Sequence, residues 1–284
     1  MPAFATPSPL SVNLWLPRGV VRITAGTRAE TVVEVKPTDQ NSERDRKAVE
    51  RTHVDCSGTE LVIEGPRKRS FLDGSGSVDI SVELPAGSRL SGKSDMGALH
   101  CVGELAGCEF TTDFGEIQLD RTGEVRLQSG SGDIEVGSVS GGADIRAGSG
   151  DIRLGSVDGE LTLKNSNGAM HVKEVTGPVK ATAGNGDFIV GLAHTTVTVR
   201  SNNGHIRVNE ALGGRLELKT SAGEIEVGVR EGATAWLDLQ TKSKVGTVHN
   251  SLGPAESFVR EDADLEIHAV TSSGDVVVRG ADQA

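Results

Sequence analysis

The stretch that most resembles a chemical site is Gly87-Ser88-Arg89-Leu90-Ser91-Gly92-Lys93-Ser94. It fits the phosphate-loop pattern G-x-x-x-x-G-K-[ST] and follows a run that reads as a strand. The chemistry would be nucleotide binding: backbone amides cradle phosphate, the Lys reaches it, and the Ser hydroxyl meets Mg²⁺. That geometry needs a helix opening at the Lys, whose first amides face the anion. Here Asp95-Met96-Gly97-Ala98-Leu99-His100-Cys101 follows, with the alternation of a strand. A nucleotide site at Gly87–Ser94 therefore stands only as a second alternative. Gly130-Ser131-Gly132 and Gly148-Ser149-Gly150 also lead into strands, so they read as turns and not as dinucleotide fingerprints.

A second group is acidic. Glu116, Asp133, Asp151, Asp187, Glu224 and Asp275 each follow a glycine in a recurring S/N-G-D/E-I-x-V motif. Stacked in parallel, they would form a stripe along one edge. Like charges that close repel, and Arg153 and Arg207, two residues further on, could compensate part of it. The stripe is either a solvated edge that keeps the repeat soluble or a surface for a cation or partner. Specific calcium sites are not expected. Setting Gly132 or Gly150 on the third glycine of the calcium β-roll repeat G-G-x-G-x-D places Ile134 or Ile152 where the ligand should be.

Other chemistry is sparse. Cys101 and Cys108 fall on apolar repeat positions and read as small core hydrophobes, while Cys56 has no assignment. The seven histidines show no H-x-x-x-H and no Cys/His cluster, so no metal or other cofactor is expected. G-x-S-x-G is absent. One basic cluster, Arg67-Lys68-Arg69-Ser70-Phe71, reads as a solvated loop between strands or as a docking loop for an anionic surface or protein.

The elements that position these residues follow from a repeat. Taking the motif glycine as anchor gives Gly97, Gly115, Gly132, Gly150, Gly168, Gly186, Gly204 and Gly223, with every step 17, 18 or 19 residues. Gly246 and Gly274 look like later, degenerate anchors. Two and four residues past an anchor lie apolar side chains (Ile134/Val136, Ile152/Leu154, Phe188/Val190, Ile206/Val208), mostly with polar residues between them. This is a strand with one buried face. A second alternating strand starts about eleven residues past the anchor, as in Leu161/Leu163 and Val197/Val199. No segment is long enough for a crossover helix, so the coils can only stack as a parallel β-solenoid. Asn167, Asn185 and Asn203, each just before an anchor, read as an asparagine ladder.

Composition agrees. Gly occurs 37 times in 284 residues, against six Phe, two Trp and no Tyr. Glycine marks the turns, and a narrow core repeated in every coil is filled by aliphatic side chains. Residues 1–93 carry 13 basic and 12 acidic residues, so the whole of the negative net charge lies in 94–284, with 16 basic and 28 acidic residues. An acidic body argues against nucleic acid. No apolar run approaches a membrane span. The start of the chain shows no secretory signal, and three cysteines are too few for a disulfide framework, so a reducing cytoplasm is the expected location.

The expected organisation is an irregular β cap over 1–93, continuous with the solenoid, regular coils over 94–234, and degenerate coils with a second cap, including Trp236 and Phe258, over 235–284. The charged stretch from Asn41 to Thr52 reads as a short helix or a solvated loop. Val82-Glu83-Leu84-Pro85-Ala86-Gly87-Ser88 leading into Ser-Gly-Asp-Ile-x-Val coils resembles the bacterial β-strand-repeat family labelled "putative adhesin", a domain of unknown function. The resemblance implies a β-solenoid with no established enzymatic activity and supplies no site residues. The expected function is a non-catalytic interaction or scaffold protein whose macromolecular partner the sequence does not name. The alternative is a polysaccharide-active β-helix enzyme, for which only residues 229–271 carry insertions.

Overall fold

The computed structural model describes residues 2–66, 76–242, 246–252 and 263–281. Among them are twenty-three strands and one helix, in the parallel β-solenoid arrangement that the repeat predicts. The chain forms two compact units, residues 1–140 and 141–284.

The second unit shows the coil in its regular form. A strand leads into each anchor glycine and another follows it. The lead-in strands Ala143–Ser149, Leu161–Asn167, Val179–Asn185, Val197–Asn203 and Gly214–Ala222 pair in parallel, each with the next. The follow-on strands Ile152–Val157, Met170–Val175, Phe188–Ala193, Ile206–Ala211 and Ile225–Val229 do the same. Inward residues form continuous buried columns, for example Ile152, Met170, Phe188, Ile206 and Ile225. Each such side chain contributes about 1.5–3 kcal/mol when fully buried. Phe188 fits because its neighbours in the column, Met170 and Ile206, are slender.

The anchors must be glycine for two reasons. Gly186 has φ +132°, a region that costs an L-residue about 1–2 kcal/mol. In addition, a Cβ on Gly186 would overlap the carbonyl of Gly168 in the preceding coil, and the same relation links Gly204 to Gly186. Beside this column runs a buried polar one. The hydroxyl of Thr220 donates to the Gly204 carbonyl at 3.1 Å, that of Thr271 to Gly223 at 2.9 Å, and the Asn165 amide to Gly150 at 2.9 Å. The anchor bend turns a carbonyl inward, and a buried acceptor needs a donor.

The last coils do not stack in chain order. Leu265–Ser273 and Val276–Gly280 pair with Gly214–Ala222 and Ile225–Val229 on one side. On the other side they pair with Ala235–Thr241 and Val248–Asn250. The chain skips a position, lays down the outermost strands Ala235–Thr241 and Val248–Asn250, then returns to fill the gap. Gly274 thus stacks on Gly223, and Gly246 on Gly274.

The first unit makes a similar excursion. Ser11–Gly26 pairs in parallel with Ser88–Phe114, bringing Gly19 opposite Gly97, so residues 11–26 already form a coil in register. Its other edge takes Glu60–Glu64 and Val78–Pro85. Ala3–Ala5, Glu30–Pro37 and His53–Ser57 then add antiparallel strands. Toward the repeats, Ile117–Ser131 and Ile134–Val139 continue the parallel stack. The charged stretch is helical over Glu43–Arg51. The Ser42 side chain caps it by accepting from the Asp45 amide, and the Asp45 carboxylate accepts from the Ser77 and Asp39 amides.

Candidate functional site

The phosphate-loop match dissolves into the coil. Ser88–Phe114 is one continuous strand, so no helix opens at Lys93. Gly92 lies opposite Leu14, and a Cβ there would come within 3.0 Å of the Phe110 ring. The glycine leaves room for a buried Phe in the next coil. Lys93 alternates outward opposite Trp15, while Ser94 is fully buried. Gly92 and Ser94 thus have packing roles, and Lys93 faces solvent.

The acidic residues occupy the position just past each anchor, as expected, but not on every rung. In the second unit the column runs Asp151, Ala169, Asp187, His205, Glu224, Asp275. Asp151 accepts from the Ala169 amide at 2.9 Å and pairs with Arg153 at 2.6 Å. Asp187 accepts from the His205 amide at 2.8 Å, and the Glu224 amide donates to His205 Nδ1 at 3.2 Å. Arg207 turns instead to Glu226, which also binds Arg279. Asp275 accepts from both the amide and the hydroxyl of Thr247, which hold its carboxyl below the ordinary range. Asp264 is lowered in the same way by Thr234. In the first unit, Glu116 pairs with His100 at 2.9 Å, and Asp133 stands one rung further on. Several of these carboxylates therefore bind one coil to the next.

The asparagine ladder forms as read: Asn185 donates to Asn167 at 2.9 Å, and Asn203 to Asn185 at 2.8 Å. Cys101 and Cys108 are buried and unpaired. Burial pushes the Cys101 thiol up to about 12 and raises the Cys108 thiol well above its ordinary range, which disfavours the thiolate that nucleophilic chemistry needs. Arg67, Lys68, Arg69 and Phe71 lie outside the described residues, as does Phe258.

Near residues 229–271, where an enzyme would need converging carboxylates, Asp238 pairs with His268 at 2.6 Å and Glu217 with Arg215 at 2.8 Å. They stand on the outward face of three neighbouring strands of one sheet, where Arg215 also reaches Glu266 at 4.0 Å. Among the described residues no group of three or more His, Cys, Asp or Glu could hold a metal ion. None of the described helices is long and apolar enough to cross a membrane. The first unit has a groove of about 320 Å³ whose lining includes Ser11, Asn13, Arg89, Ser91, Glu109 and Arg126, with both signs of charge interspersed.

One arrangement was missed by the motif reading. The outward positions of the lead-in strands carry cations in register: Arg146, Lys164, Thr182, Arg200 and Lys219 form one column, with Lys180 beside it. All five cations are exposed. Arg146 pairs with Asp144. Among the described residues Lys164, Lys180, Arg200 and Lys219 have no ion pair. The signal was available, because Arg146, Lys164, Arg200 and Lys219 lie fourteen or fifteen positions past their anchors, and Lys180 twelve. Net charge averages it away.

The family model described as Toastrack DUF4097 matches residues 18–195, well over half of the chain. No curated protein matches. Among solved structures, the chain is similar to a putative adhesin from Parabacteroides merdae, at 9% identity and TM-score 0.44, covering 80% of this chain and 94% of that one. It is also similar to a putative adhesin from Parabacteroides distasonis, at 9% identity and TM-score 0.37, covering 97% and 95%.

Proposed function

Because this chain belongs to the Toastrack DUF4097 family, whose β-solenoid it folds as, we propose that it is a non-catalytic, adhesin-like interaction protein. It presents straight columns of outward side chains to a macromolecular partner. The observation that carries this reading is the register. From Ala143 to Ala211 each anchor turn takes two residues and each return turn three, so side chains one coil apart meet as direct neighbours. Turns that short leave no room for the loops that wall a catalytic groove, whereas columns at about 4.8 Å suit a repetitive or extended partner.

Affinity capture from native-cell extract tests the reading. The wild-type chain is compared with two surface variants: Asp133, Asp151 and Asp187 changed to Lys, and Lys164, Lys180, Arg200 and Lys219 changed to Gln. A solenoid that works through its faces loses captured material in at least one variant. If both variants capture what the wild type does, the reading fails.

A further inference from the structure

We propose that the outward face of the lead-in strands in the second unit, built on Lys164, Lys180, Arg200 and Lys219, binds a linear acidic polysaccharide lying along the stacking direction. The proposal rests on the interaction reading above and names the chemistry of the partner.

Charge is the first ground. These four cations are exposed and without an ion pair among the described residues, in a chain of net charge −11. On the same face Asp144 pairs with Arg146 and Glu217 with Arg215, whereas these four cations have no such partner among the described residues. Arg200 and Lys219 are direct neighbours, and Lys164 stands two rungs from Arg200 across Thr182. The column from Arg146 to Lys219 covers four rung steps, roughly 19 Å. A uronate chain carries one carboxylate per sugar, at a repeat comparable to the rung spacing. It can therefore meet several cations without bending.

The surroundings of the cations are the second ground. Thr162, Thr182 and Thr198 stand between them and offer hydroxyls to sugar hydroxyls. The next outward column is small: Gly148, Ser166, Gly184, Asn202 and Ser221 leave a shelf beside the long cationic side chains. The amide ladder of Asn167, Asn185 and Asn203 runs along the far side of that shelf.

These features also select against other polyanions. The exposed large hydrophobics among the described residues are Met96, Val102, Phe114 and Val248, and none lies on this face. An anionic bilayer would thus find charge but nothing to insert. Single-stranded nucleic acid would find one half-buried aromatic, Trp236 at an outward position of the outermost strand, and no run of aromatics on which to stack successive bases.

The test uses the full chain and immobilised polygalacturonate, with neutral dextran and phosphatidylserine vesicles as separate arms. Wild-type protein is expected to bind polygalacturonate at low ionic strength, to ignore dextran, and to release as salt is raised. One cation near an anionic surface is worth roughly fivefold. Changing Lys164, Lys180, Arg200 and Lys219 together to Gln should therefore weaken binding by at least about tenfold. All four side chains are exposed, so an unchanged melting curve shows that the loss is not unfolding. Changing Lys173 and Arg230, which lie on other surfaces, to Gln should leave binding intact. The proposal is overturned if wild-type protein binds polygalacturonate no better than dextran. It is also overturned if the fourfold variant binds as wild type does, or if vesicles bind and polygalacturonate does not. In each of those cases the interaction reading survives if extract capture still depends on a surface variant. Fractionation of native cells is an independent check. Such a ligand lies outside the cytoplasm, so protein confined to the cytoplasm counts against the proposal despite the cysteine usage that favours that location.

Discussion

Replacing Gly186 with Ala tests why the repeat is punctuated by glycine. The position has φ +132°, and a methyl group would overlap the Gly168 carbonyl. That carbonyl belongs to the backbone of the preceding rung and cannot move without disturbing the ladder. The positive φ costs about 1–2 kcal/mol, and forcing an extra carbon into packed structure costs typically about 1–3 kcal/mol. A loss of about 2–5 kcal/mol follows. Gly142 is the control, because its nearest neighbour to an added Cβ is the Glu160 carbonyl oxygen at 3.6 Å. Gly142→Ala should be neutral, or stabilising by about 0.4–1 kcal/mol through the unfolded chain. Urea unfolding of both variants, at unchanged slope, gives the comparison. Equal midpoints would refute the idea that close stacking, and not looseness, requires the anchor glycines.

Further expectations concern the core and the last coils. Gly92→Ala should destabilise by about 1–3 kcal/mol through Phe110, and adding Phe110→Leu should recover part of that loss; no recovery in chemical denaturation would break the link. The carboxyls of Asp264 and Asp275 are held below the ordinary range by Thr234 and Thr247. Their contribution is present above the ordinary aspartate value and lost as pH falls through the lowered one. Hydrogen-exchange protection of the Leu265 and Val276 amides, which bind the Thr234 and Thr247 carbonyls, should fall in that acid window. Asp264→Ala with Asp275→Ala should remove the pH step. Truncation after residue 262 removes an inner coil, whereas replacing 233–262 by a short turn removes an outer one. The truncation should unfold at lower urea, and the opposite order would contradict the strand pairing.

How much was legible in the sequence depended on what kind of signal each feature leaves. The anchor glycines and the residues two and four past them announce themselves, because period-two burial and a fixed turn leave a repeating trace. A third inward column, Val157, Val175, Ala193 and Ala211, did not. The chain bends after residues such as Leu154, and the next buried side chain comes three positions later. Thr220 and Thr271 face inward to satisfy anchor carbonyls, although their polarity reads as outward. The stacking of Gly274 on Gly223 carries no sequence label, since a coil of this shape can pair with any other of the same shape. The acidic stripe was visible as composition, but its bonds to neighbouring amides were not. The cationic column was legible in the repeat spacing, yet it lies on a strand away from the motif that draws attention.

The most direct test of the account is removal of one coil, residues 169–186, joining Gly168 to Asp187. The account holds that function resides in columns repeated from rung to rung. It predicts a chain that folds with the same β signature, unfolds cooperatively, and captures the same material from native extract in smaller amount. A shortened chain that folds yet captures nothing would mean that a single local site does the work. One that fails to fold would mean that the coils are not interchangeable units.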